Sequence, residues 1–356
     1  LVALLRDRDF ALLWWGGLIS LVGDGFTMVA VGWLLVDERG SPRDFGLYLL
    51  SFEVAAIVGG LVLSGLVDAF SRRRLMILDC VVRGIAVAAI PAANVLGDAG
   101  LGVILASGAL LGFFSPTAGV GQRAMVVELL HEEQLTAANS AEAVQWTTSW
   151  LIGPAIGGFL VAGIGTFSTL WIDALTFFVF AGTLAAMSPR ADRLPQRAVA
   201  RRSYFADLRE GFAYVRHERL MWTVIQLTAG ARMAEGIFFI ALPVMVSQAG
   251  ADAHVLGLLL AVGGAGSLLG SLLTVSLRLP LTLTLSVTLC AAAGAVTTLL
   301  IALQPALWLI GVIVFVEFTV TAPWNIHILT LRQRVPPPEL VGRVLSVTMT
   351  LNAAGQ

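Results

Sequence analysis

Ten runs of about 20 or more mostly apolar residues recur along this 356-residue chain, each long enough to cross about 30 Å of hydrocarbon as a helix. They lie at approximately 10–36, 46–67, 75–95, 100–122, 143–164, 167–188, 221–247, 255–277, 281–303 and 306–330, and an eleventh begins near residue 341 and meets the end of the chain at Gln356. In lipid, every backbone N–H and C=O must find its partner within the protein, which leaves only helices and closed barrels. Alternating-strand patterning is absent, so a barrel is not expected. The expectation is an all-α polytopic membrane protein. Only 13% of residues are charged, about half of what a soluble domain carries, and that charge sits mainly between the runs. Net charge is −1, which gives nucleic acid no reason to bind. Cys80 and Cys290 fall in separate apolar runs, so neither a disulfide framework nor a metal site is expected.

Arginine placement sets the expected orientation. Arg6, Arg8, Arg72, Arg73, Arg74, Arg123, Arg278, Arg332, Arg334 and Arg343 fall on one side, together with a 188–219 segment carrying eight Arg against four acids. Opposite lie only Arg39 and Arg43, beside Asp37, Glu38 and Asp44. The Arg-rich side is cytoplasmic, with the start of the chain and the central linker inside. Within the linker, SYFADLREGFAYVRHERL places Phe205, Leu208, Phe212 and Val215 at helical spacing, an amphipathic helix for the inner membrane surface. The expected organisation is a six-helix bundle over 1–188, a linker over 189–219, and a second bundle over 220–356.

An internal repeat supports two related halves. LHEEQLTAANS after the fourth run has a counterpart in VPPPELVGRVLS after the tenth, and SLVGDGFTMVAV in the first has one in RMAEGIFFIAL in the seventh. Aligning Asp24-Gly25 on Glu235-Gly236 also brings Ala30 onto Ala241 and Gly46 onto Gly257. The second half is then incomplete here, with four helices and the start of a fifth.

Four stretches carry a family resemblance: LISLVGDGFTMVAVGWLLV, GLVDAFSRRR, ELLHEEQLTAANS and GPAIGG. They resemble the major facilitator superfamily, and within it the branch of bacterial drug, macrolide and siderophore exporters. The resemblance implies two six-helix bundles related by pseudo-symmetry. It makes GLVDAFSRRR a cytoplasmic gate motif: Gly65, Asp68, Arg72, Arg73 and Arg74 match, while Ala69 stands where the family has Arg. A carboxylate at an inner helix end can accept backbone N–H groups from a neighbouring helix N-terminus, where the dipole favours negative charge. By resemblance that neighbour starts near Leu340–Arg343, and the contact latches the halves on the cytoplasmic side. The bland alternative is that the arginines are only a positive-inside anchor. Gly153, Pro154, Gly157 and Gly158 match the family's antiporter element, although Pro kinks and Gly packs helices in any family.

A carboxylate at the centre of a spanning helix costs about 2.5–3.5 kcal/mol on insertion scales, so a partner or a function must retain it. Asp24 lies near the middle of the first run, where Ser20, Leu21, Thr27 and Met28 at neighbouring helical positions offer no counter-charge. It is the first candidate for a proton site or a cation-binding carboxylate. Glu235 has Arg232 three residues earlier on the same face, so an internal ion pair and a substrate role both stand. Glu317, with Trp324 and Asn325 beyond it, suits an amphipathic cation if these groups face a cavity, and helix packing if they do not. Glu53 is of the same kind. Asp79 and Arg83, four residues apart, are expected to pair with each other. Asp173 is expected at the outer interface, and Glu128, Glu132, Glu133 and Glu142 in cytoplasmic loops or helix starts.

No Ser/His pair, His-Glu-two-residue-His motif or nucleotide-binding Gly-rich loop is present, so neither an enzyme nor a nucleotide-driven pump is expected. With the resemblance, the residues imply a secondary transporter that exports hydrophobic or amphipathic small molecules in exchange for protons by alternating access. It needs no cofactor or metal. It is expected as a monomer in the bilayer of the bacterial cytoplasmic (inner) membrane. A lysophospholipid flippase-type transporter, which shares a first-span Gly-Asp and a comparable loop, is the alternative. A membrane sensor or scaffold without transport is a third.

Overall fold

A computed structural model describes residues 4–67, 71–97, 99–188, 204–276, 283–303, 306–337, 340 and 344. The described helices are α1 (Arg8–Trp33), α2 (Pro42–Val67), α3 (Arg72–Val95), α4 (Leu101–Leu129), α5 (Leu135–Ile164), α6 (Thr166–Ala185), α7 (Tyr204–His217), α8 (Arg219–Gln248), α9 (Ala253–Ser276), α10 (Leu283–Ala302) and α11 (Leu307–Arg334). All but α7 fall on the ten apolar runs, and eight helices among the described residues are long and apolar enough to cross a membrane. The helices outrun the hydropathy windows. α5 begins at Leu135 rather than near 143 and α4 continues to Leu129, so most of ELLHEEQLTAANS is helix rather than connection. Hydrogen bonds extend past the lipid boundary wherever the next residues still favour the helix, and hydropathy cannot register those turns.

The chain forms two compact units, Leu1–Val199 with Ala251–Leu258, and Ala200–Gly250 with Leu259–Gln356. In the first, α1 packs on α5 and α6, α3 on α4 and α6, and α2 on α4. The α2–α4 contact is backbone on backbone: a Cβ on Gly59 would overlap the Phe113 carbonyl, and one on Gly112 the Phe52 carbonyl. A core of Phe10, Leu13, Met76, Met125, Phe180 and Leu184 gathers side chains from α1, α3, α4 and α6. The opposite face of α2 leaves Leu50, Val54, Val58 and Val62 exposed. Their spacing of four makes one apolar stripe, as a lipid-facing helix requires.

In the second unit, α7 packs on α8, α8 on α10 and α11, and α10 on α11. The amphipathic helix expected from the linker forms as α7, and its Val215 is buried with Met221 and Ile225 of α8. Linker residues 189–203, Asp68, Ala69 and the eleventh run beyond Val344 lie outside the described residues.

Candidate functional site

Asp24 sits two-thirds of the way along α1, with its side chain 35% exposed. The expectation of no counter-charge is wrong: Arg83 of α3 donates from its guanidinium to Asp24 Oδ1 at 2.9 Å. The expected Asp79–Arg83 pair therefore does not form. Spacing along one helix shows which groups could meet on it, whereas here the partner comes from a helix 59 residues away. The guanidinium also lies over the Phe177 ring of α6, 4.5 Å from its centroid, a cation–π contact that helps hold a charge away from water. Arg83 is thus held between α1, α3 and α6.

Two further carboxylates face this pair. Asp173 of α6, expected at the interface, is fully buried. Thr27 of α1 donates to its Oδ2, and Thr176 donates to its Oδ1 at 3.0 Å. Asp79 is also buried, and its Oδ1 has no hydrogen-bond partner among the described residues. Asp79 and Asp173 both lie within electrostatic range of Arg83. Neither was picked out as a site residue in the sequence. A charge in an apolar run at i, i+4 from an opposite charge reads as a satisfied pair, which hid the cluster.

The expected antiporter element lies directly behind Asp24. Gly153, Pro154, Gly157 and Gly158 are all buried on α5. A Cβ on Gly25 would stand 2.7 Å from the Gly153 carbonyl carbon, and one on Gly157 would stand 2.9 Å from Phe26 Cα. The element brings the α5 backbone against the turn of α1 that carries Asp24. Gly158 meets the backbone of Ala253 and Gly257 within the same unit. A polar chain below it was not foreseen: Gln122 donates to Gln145 at 2.7 Å, and Gln145 donates to the Trp14 carbonyl at 2.6 Å.

The arginines of GLVDAFSRRR do more than anchor the chain. Arg72 pairs with Glu128 in the last turn of α4 and donates to the Ala124 carbonyl at 3.3 Å. Glu128 is thus a helix partner rather than a loop charge. Arg73 donates to the Leu184 and Ala185 carbonyls at 2.7 and 2.6 Å, where the C-terminal turn of α6 leaves carbonyls without intrahelical donors. Arg74 lies in the first turn of α3. Arg73→Gln is expected to lower thermal stability in detergent by about 1 kcal/mol, the scale of a charge-assisted cap; an unchanged melting temperature would reduce Arg73 to an anchor. Gly65 lies in α2, Asp68 is outside the described residues, and of the proposed latch partner at Leu340–Arg343 only Leu340 is within them.

In the second unit, Glu235 on α8 and Glu317 on α11 are half-buried, and Thr297 of α10 hydrogen-bonds to Glu317, which Glu235 faces. Trp324 is buried against Val224 and Ile328, a packing position. The side chains of Arg232 and Asn325 lie outside the described residues. Glu53 is half-buried on α2.

The sequence profile of the Major Facilitator Superfamily matches residues 13–356. The chain belongs to the major facilitator superfamily. Among its superfamily relatives, the multidrug efflux pump Tap of Mycolicibacterium fortuitum is 28% identical over 218 residues, 60% of this chain and 53% of that protein. The chain spans about half the length of the Tap proteins it matches. An uncharacterized MFS-type transporter of Sinorhizobium fredii is 28% identical over 97% of this chain and 85% of its own length. Among solved structures, the nucleoside transporter NupG superposes with a TM-score of 0.81 at 11% identity, covering 98% of this chain and 88% of that one. A D-xylose-proton symporter gives 0.72 at 14% identity, covering 99% and 88%. At these identities the likeness is one of fold, and the fold is that of the superfamily.

Proposed function

We propose that the protein is a secondary transporter that exports hydrophobic or amphipathic cationic small molecules in exchange for protons by alternating access. The observation that carries this reading is the half-exposed Asp24 carboxylate, held by Arg83 inside a membrane-spanning helix. A lone charge there would be costly, and one paired to a removable partner can accept a substrate cation in its place. The sequence likeness to a multidrug efflux pump supports the export direction, and the α5 glycine–proline element behind Asp24 supports antiport. The working protein is a monomer in the bacterial cytoplasmic membrane, with its N-terminus and central linker on the cytoplasmic side and Asp68 acting at the inner gate. Glu235 and Glu317 are the second unit's own acidic candidates.

The test uses full-length protein in liposomes with an imposed pH gradient and tetraphenylphosphonium as the transported cation. Wild type should move the cation against the proton gradient. Asp24→Asn should reduce that flux about tenfold or more, the scale of a coupling free energy of about 1–3 kcal/mol. Unchanged gradient-driven flux in Asp24→Asn would refute the role given to Asp24. Flux of lysophospholipid in place of the cation would turn the reading to lipid handling, and no flux of either would leave a sensor or scaffold.

A further inference from the structure

The first unit holds more buried acid than the Asp24–Arg83 pair accounts for. Asp79 lies one turn before Arg83 on α3, at positions that share a helix face. Its side chain is 1% exposed, and its Oδ1 has no hydrogen-bond partner among the described residues. Asp173 differs, because Thr27 donates to its Oδ2, and the Thr176 hydroxyl, shared with the Asp173 carbonyl, lies 3.0 Å from its Oδ1. Arg83 Nε is likewise buried without a partner among the described residues, so the guanidinium keeps a free donor while it is bonded to Asp24. The other titratable groups facing the cluster are Tyr48 of α2 and Cys80 of α3. The charged residues of α4, Arg123 and Glu128, are paired with Glu142 and Arg72.

A buried carboxyl group must be neutral, paired or hydrogen-bonded, because an unpartnered charge away from water costs several kcal/mol. While Arg83 is held by Asp24, no donor reaches Asp79 Oδ1 among the described residues, which favours the first of these. We propose that Asp79 carries the exchanged proton, and that Arg83 switches between Asp24 and Asp79 as substrate arrives and leaves. This rests on the exporter reading above. A cationic substrate takes the Asp24 carboxylate and frees the guanidinium, which turns back along its own helix to Asp79. The O–H bond of Asp79 then breaks, its electron pair stays on the carboxylate, and the proton leaves to water. When the substrate departs, Arg83 returns to Asp24 and Asp79 takes a proton from water. One positive charge enters the cluster as another leaves, so its net charge is the same in both states. The exchange follows from that balance, and a neutral substrate cannot drive it.

The experiment measures proton release from purified full-length protein in weakly buffered detergent, with a pH-indicator dye, on addition of tetraphenylphosphonium. That cation has no titratable group, so any proton released comes from the protein. Binding is read in parallel by equilibrium dialysis. Wild type is expected to release a proton on binding the cation. Asp79→Asn is expected to bind it with loss of the release, and Asp79→Glu to recover the release. Asp24→Asn is expected to lose the binding itself. Release from Asp79→Asn equal to wild type would overturn the assignment while leaving the exporter reading intact. So would a folded Asp79→Glu that binds without release, or a loss of release confined to Asp173→Asn. Wild type that binds the cation and releases no proton would overturn both readings together.

Discussion

Arg83→Leu is expected to destabilise the protein by about 1–3 kcal/mol, the cost of leaving a charged acceptor without its donor, since Asp24 keeps 35% of its side chain exposed. Three acidic side chains face this guanidinium, and its removal leaves Asp24 without its ion pair and Asp79 and Asp173 without a nearby cation. The cation–π contact with Phe177 is lost as well. The measurement is thermal unfolding in detergent, followed by size-exclusion of the heated sample. The double variant Arg83→Leu/Asp24→Leu should recover part of the loss, because it removes the stranded carboxylate together with its partner. If the single variant melts with wild type, the pair contributes nothing to stability. If the double variant is as unstable as the single, the loss comes from packing rather than from charge.

Gly25→Val is the second large effect. The added side chain would begin 2.7 Å from the Gly153 carbonyl carbon and 2.8 Å from Gly153 Cα. Both are backbone atoms, so no side chain can turn aside and α1 must separate from α5. Overpacking a well-filled contact costs typically about 1–3 kcal/mol, and more where nothing can yield. The displaced turn carries Asp24, so cation binding should fall along with stability. Binding of tetraphenylphosphonium and the melting temperature are measured on the same preparation. Normal binding in Gly25→Val would show that the α1–α5 contact does not position Asp24.

The two cases show why the fold was more legible than the site. Hydropathy runs locate spans because the bilayer imposes a length and a polarity on each segment separately. Arginine between spans and the periodic apolar face of 204–217 are legible for the same reason: the external environment acts on one segment at a time. Asp24 stood out as a charge where none is expected. Its partner did not, because ion pairing across helices depends on which faces α1 and α3 turn to each other. Asp79 at i, i+4 offered a simpler pairing for Arg83 that the helix rotation does not use. Asp173 departs from its expected interfacial position for a related reason. Position along a run approximates depth in the membrane, but it is silent on rotation, and rotation places Asp173 against Thr27.

The three arginines of GLVDAFSRRR divide in the same way. Their presence at a span boundary is a property of the segment, and charge asymmetry accounts for it. That Arg73 caps α6 while Arg72 reaches Glu128 of α4 is a property of neighbours 56 to 112 residues away. The sequence by itself determined a helical membrane protein of the major facilitator kind, its spans, its amphipathic linker helix and a carboxylate at the heart of its first span. Only the tertiary structure decided that this carboxylate is held by Arg83, that Asp173 is buried and hydrogen-bonded, and that Asp79 is left over. Burial in lipid acts on each helix alone, whereas the pairing of buried charges depends on how the helices are rotated against one another.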